Sequence, residues 1–173
     1  MIGYKWLPRD AAYAPCSSYP SLGRFGDGTI RTLYVAETDR GAMAEFFRRF
    51  PELIEFQDDL EIIVYELDID VPSECLDVLA DDSQGHVGIS LDRLTSSEPN
   101  EAKRYLECRE TAREAVAQRL TGIFYPSAAG RWAHAWNLVL FDEKSPKGWE
   151  CSRHREVARP RLVAADVSPL PLC

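Results

Sequence analysis

Alternation of apolar and polar side chains is cleanest from Glu61 to Val71, where Ile63, Tyr65, Leu67, Ile69 and Val71 share one face and Glu66, Asp68 and Asp70 the other. A period of two predicts a half-buried strand, and a polar second face favours antiparallel pairing. Ile2 to Leu7 predicts an opening strand and Arg31 to Ala36 another. Between them Pro8, Pro15 and Pro20, with Ser17, Ser18 and Ser21, deny both helix and central strand, so Pro8 to Gly28 is expected to be a long loop. Long ordered loops in compact domains are uncommon and are often functional.

The period changes after Ala36. Met43, Phe46, Phe47 and Phe50 follow i, i+3, i+4, i+7 spacing, Thr38 or Asp39 can cap the helix, and Pro51 ends it. Glu45 points roughly 160° away from that aromatic stripe, toward solvent or a cleft, with solvent the default for a lone helical Glu. Glu101 to Leu120 predicts the longest helix, striped by Tyr105, Cys108, Ala112, Ala115, Val116 and Arg119. Asp81 to Asn100 is a polar connection. Gly122 to Tyr125 and Trp136 to Phe141 predict two strands flanking a small-residue turn with Ser127, and Leu162 to Val167 a last strand. Irregularly interspersed strands and helices favour an α+β fold with mixed or antiparallel sheets and flanking helices.

A length of 173 residues, 45 % of them hydrophobic, suits one domain with a full core over residues 1–173. The formal charge of −8 repels phosphate backbones, which disfavours nucleic acid as a partner. Cys16, Cys75, Cys108, Cys151 and Cys173 are widely spaced without a Cys-x-x-Cys pair, and are expected to be reduced thiols. The amino terminus lacks the apolar core of a signal peptide and no run approaches the ~18 apolar residues of a membrane span, so a cytoplasmic location is expected.

Three familiar chemistries find little purchase. Cys151 and His154 lack a second ligand pair for zinc, and no metal is expected. Ser127 or Cys108 with His86 or His134 permits a hydrolase, but Ser127 follows Pro126 and lies in no Gly-x-Ser-x-Gly elbow. Gly23-Arg24-Phe25-Gly26-Asp27-Gly28 is neither a Walker A loop nor a dinucleotide fingerprint, although its glycines let backbone approach a ligand closely.

The order of the short motifs is more informative. Gly23-Arg24-Phe25, Leu33-Tyr34-Val35-Ala36, Ala42-Met43-Ala44-Glu45, Leu67-Asp68-Ile69-Asp70, Gly122 to Ala128 and Trp136 to Phe141 succeed one another as in the RES domain family, which this chain resembles most over residues 23–141. Arg24, Glu45 and Ser127 match the three residues for which that family is named, and Tyr34 matches its active-site tyrosine. Asn137 falls where the family often places an Asn, in support of the serine turn. Phe25 and Gly26 depart from the Trp and Asn common there.

The resemblance implies a fold like that of ADP-ribosyltransferases and a cleft for NAD as substrate. It further implies a toxin that consumes NAD with water or phosphate as acceptor, blocked by an Xre-family antitoxin, and possible as a homodimer. In that reading Glu45 stabilises the oxocarbenium-like state at the anomeric carbon. Arg24 grips the pyrophosphate, Tyr34 stacks on nicotinamide and offers its hydroxyl to the ribose, and Ser127 contacts the ribose or orients Glu45. The alternatives are a protein ADP-ribosyltransferase, a non-catalytic NAD- or nucleotide-binding domain, and a Ser/Cys hydrolase.

Overall fold

Strand β1 (Ile2–Pro8) and strand β4 (Ile62–Asp70) form the longest ladder with an unbroken register, running antiparallel from Ile2 opposite Asp68 to Pro8 opposite Ile62. The computed structural model describes residues 1–71, 74–78, 103, 105–127, 135–142 and 148–167. Both strands match the alternation in the sequence. Val64, Leu67 and Ile69 of β4 are completely buried, while Tyr4 and Trp6 of β1 pack against a helix.

β2 (Tyr19–Pro20) is a two-residue strand inside the predicted Pro8–Gly28 loop, paired antiparallel to β3 (Arg31–Ala36). β5 (Cys75–Asp77), β6 (Gly122–Pro126), β7 (Trp136–Phe141) and β8 (Glu150–Val157) complete the described strands. Their order is β5-β6-β7-β3-β1-β4-β8, with β2 beside β3. The β5–β6 pair is parallel and the others antiparallel. With helices packed on this mixed sheet, the fold is α+β.

The seam between β1 and β3 positions the site. Those strands pair only where Tyr4 faces Ala36, whereas β1 pairs with β4 along its whole length and β3 with β7 from Thr32 to Ala36. Past Tyr4 the ladder stops, and the gap between the two halves of the sheet is open to side chains.

Helix α1 (Asp39–Arg49) lies on one face, with Met43, Phe46 and Phe47 buried against Val64, as its apolar spacing predicts. Thr38 is its N-cap, accepting from Gly41 N–H at 2.9 Å, and Asp39 stands in the first turn. Pro51 ends α1 but also starts a 3₁₀ helix over Pro51–Asp59 that the sequence pattern did not predict. Its missing N–H and fixed φ suit a helix's first position as well as a stop.

Helix α2 (Leu106–Ala117) covers β6, burying Cys108, Ala112 and Ala115 as predicted. Two stripe positions are corrected: Val116 is exposed, and Arg119 has left the helix with φ +62° in the turn that carries the chain into β6. The predicted final strand at Leu162 to Val167 is also corrected. Its last four residues form the short helix α3 (Ala164–Val167), and the last strand among the described residues is β8. The predicted connection Asp81–Asn100, His86 and His134 lie outside the described residues.

Cys16 and Cys151 are joined by a disulfide across 135 residues, which overturns the expectation of reduced thiols for this pair. The fold brings the loop after β1 against β8, a proximity that spacing in the sequence does not reveal. Cys75 and Cys108 are free. Among the described residues no helix is long and apolar enough to cross a membrane.

Candidate functional site

Where the β1–β3 ladder stops, a cavity of about 490 Å³ opens, walled by β1, β3, α1 and the Pro8–Gly28 loop. Its lining includes Arg24, Tyr34, Glu45 and Asn137, so residues from four separate segments share one space. Ser127 reaches it through Glu45. The volume suits a small-molecule or cofactor site.

Glu45 is the centre of the arrangement. Its Oε1 accepts hydrogen bonds from Ser127 Oγ at 2.8 Å and Asn137 Nδ2 at 2.9 Å, and its Oε2 accepts from Arg48 Nε at 3.1 Å. Ser127 and Asn137 are buried, at the end of β6 and on β7, and the antiparallel β6–β7 pairing sets Tyr125 opposite Asn137. The solvent default for Glu45 is therefore corrected: the side of α1 away from its aromatic stripe faces the cleft. Asn137 likewise bonds Glu45 in addition to standing next to the serine turn.

Arg24 is 6 % exposed, and its Nη1 is a buried donor with no hydrogen-bond partner. Its guanidinium carbon lies 5.3 Å from the centre of the Tyr125 ring. A buried, unsatisfied guanidinium nitrogen is costly unless a ligand supplies the acceptor. Tyr125 records how closely the charges converge. Burial pushes its phenol well up, Arg24 opposes that, and Glu45, Tyr34 and Arg48 act on it too.

Tyr34 serves the loop as well as the cavity. Its hydroxyl accepts from Phe25 N–H at 2.9 Å, and burial raises its pKa. That contact uses the hydroxyl as an acceptor and leaves its own O–H to donate, and the ring lines the cavity. A Cβ at Gly23 would come within 2.7 Å of the Tyr34 hydroxyl, so only glycine permits this approach. The Phe25-Gly26 departure has a packing reason. Phe25 is fully buried with its ring 4.8 Å from that of Tyr125, and a side chain at Gly26 would collide with the Ser21 carbonyl.

Lys5 belongs to the site without any motif to mark it. It is 5 % exposed, lines the cavity, and donates to the Pro15 carbonyl at 3.4 Å. Burial lowers its pKa to about 7. The signal available in sequence is its parity, because in β1 Gly3, Lys5 and Leu7 occupy the buried positions. Among the described lining residues Lys5, Arg24, Arg48 and Arg49 are cations and Glu45 is the one carboxylate. The cleft is thus locally positive within an acidic protein.

Of the hydrolase candidates, Cys108 and Ser127 are among the described residues, and His86 and His134 lie outside them. Cys108 is fully buried and burial raises its thiol pKa, which disfavours a thiolate. Ser127 is engaged with Glu45. Among the described residues no group of His, Cys, Asp and Glu could hold a metal ion, and Cys151 of the Cys151/His154 pair is in the disulfide.

The model of the RES domain family matches residues 3–164. The structure is similar to a chain in the crystal structure of the M. tuberculosis MbcT–MbcA toxin–antitoxin complex, with TM-score 0.65 and 16 % identity, covering 91 % of this chain and 84 % of that one. A comparison with curated proteins found no match.

Proposed function

This chain belongs to the RES domain family, and on that premise we propose that it cleaves the nicotinamide–ribose bond of NAD and is the toxin of a toxin–antitoxin pair. The observation that carries the reading is the Glu45 carboxylate, fixed by Ser127 and Asn137 in the same cavity as the unsatisfied guanidinium of Arg24. A dinucleotide with two phosphates and a ring that leaves as a neutral base needs both an anion grip and a carboxylate at the anomeric carbon.

The bond to nicotinamide breaks through an oxocarbenium-like state, and Glu45 stabilises the positive charge that develops on the ribose. Water as acceptor yields ADP-ribose, nicotinamide and a proton, and phosphate yields the 1-phosphorylated ADP-ribose. Nicotinamide leaves without a strong general acid. Arg24 engages the pyrophosphate through its free Nη1, which a lysine's point charge would not reproduce. Lys5 adds a second cation on the β1 wall. The Tyr34 ring stacks on nicotinamide, and Ser127 and Asn137 act through Glu45 as positioning residues.

The test is nicotinamide release from NAD by the purified protein, with and without inorganic phosphate. Phosphate-dependent sugar phosphate among the products assigns the acceptor, and binding of NAD without release selects a non-catalytic nucleotide-binding domain. Transfer of ADP-ribose to added protein selects a protein ADP-ribosyltransferase. An Xre-family antitoxin is the proposed partner, supported by the similarity to a chain of a toxin–antitoxin complex. Co-expression with its candidate antitoxin should relieve toxicity and co-purify the pair.

A further inference from the structure

Two aromatic rings in the cavity wall have no part in the chemistry above. Tyr13 and Tyr19 stack with centroids 4.2 Å apart and planes inclined by 21°, and both line the same cavity as Arg24 and Glu45. Building on the reading of this cleft as an NAD site, we propose that Tyr13 is the shelf on which the adenine ring of the dinucleotide stacks.

Tyr19 covers one side of Tyr13, and the Lys5 ammonium lies 5.0 Å from the Tyr19 centroid and 5.5 Å from that of Tyr13. Those three separations set the ammonium against both rings, nearer Tyr19 than Tyr13. Tyr13 is only half-buried, so a planar ligand ring extends the existing stack by one member. Lys5 against those rings meets the phosphate joined to the adenosine, a pairing of ring and anion that a nucleotide carries and a simple sugar phosphate lacks.

The shelf is built in advance of any ligand. Its loop is tied at Pro15 by Lys5, at Cys16 by the disulfide to Cys151, at the Ser18 carbonyl by Arg31, and at Tyr19–Pro20 by pairing with β3. Ordering a loop before binding removes that entropy from the cost of association. These four ties fall between Pro15 and Pro20, next to Tyr13 and including Tyr19.

Calorimetry with AMP and with ribose 5-phosphate, on wild type, Tyr13→Ala and Tyr13→Phe, tests the shelf. Stacking on an aromatic ring is worth about 1–3 kcal/mol per base, so Tyr13→Ala should weaken AMP binding by about tenfold or more while Tyr13→Phe retains it. Ribose 5-phosphate, which has the anion without the ring, should bind all three proteins equally. Unchanged AMP affinity in Tyr13→Ala overturns the proposal, as does an equal loss for ribose 5-phosphate, which would mark collapse of the loop. Tyr13-dependent AMP binding in a protein that releases no nicotinamide from NAD upholds the shelf and sinks the proposed reaction. NAD cleavage with AMP binding indifferent to Tyr13 does the reverse.

Discussion

Ser127 Oγ donates a hydrogen bond to Glu45 Oε1 at 2.8 Å although 82 residues separate them in the chain. Asn137 Nδ2 reaches the same oxygen at 2.9 Å, while Arg48 takes the other. The carboxylate is therefore held from both sides before a ligand arrives. Fixing the acceptor in advance means little reorganisation is needed when charge develops.

Two donors on one oxygen predict a non-additive pair. Ser127→Ala and Asn137→Ala should each lower kcat for NAD cleavage by about tenfold, an effect of about 1.4 kcal/mol, with KM little changed. The double variant should lose clearly less than the product of the two, because neighbours acting through one group do not add. Strict multiplicativity in a double-mutant cycle would show that they act separately.

Glu45→Gln keeps the shape of the side chain and removes its charge. Loss of one preorganised electrostatic contact is worth about 3 kcal/mol, so nicotinamide release should fall by about 10². The melting temperature should move by only a few degrees, since the side chain retains an acceptor for Ser127 or Asn137. Turnover equal to wild type takes Glu45 out of the chemistry.

Arg24→Lys separates charge from geometry. The guanidinium presents several donors in a plane and the ammonium does not. NAD affinity by calorimetry should drop at least about tenfold, with circular dichroism unchanged. Equal affinities would count against the pyrophosphate contact.

Lys5 predicts opposite movements of stability and binding. Burial lowers its pKa from 10.5 to about 7, so between those values the unfolded chain holds a proton that the folded one has released. Stability from this group therefore rises with pH across that window, and the cost of the buried ammonium is complete below it. Tyr13 and Tyr19 face the ammonium, and Arg49 acts on Tyr19 from α1. Lys5→Met should raise the melting temperature more at pH 6 than at pH 10, while weakening NAD binding at pH 6. Wild-type affinity should decline as pH passes about 7, and the variant's should not. A stability gain equal at both pH values would refute the assignment.

The fold was legible where side chains alternate and the site where short motifs repeat a family's order. β4 and the aromatic face of α1 follow from periodicity, and β1, β3, β6 and β7 from short apolar runs next to turn residues. β8 does not, because an edge strand with one neighbour exposes Arg153 to Glu156 on both faces and leaves no apolar signal. The direction of Glu45 was invisible because a helical wheel gives the angle from the buried stripe, not what packs opposite it. Lys5 was hidden by composition, since a lysine at a buried parity reads as a surface residue until a cavity is found around it. The Cys16–Cys151 bond needed the folded distance between a loop and the sheet's edge.

The solitary Tyr4–Ala36 pairing means that the β-sheet is in effect two ribbons pinned together at one rivet. A guest lodged beside that rivet touches both ribbons and becomes a crosspiece between them. Occupancy and rigidity should then rise together, so that resistance to heat and to proteases reports how full the gap is.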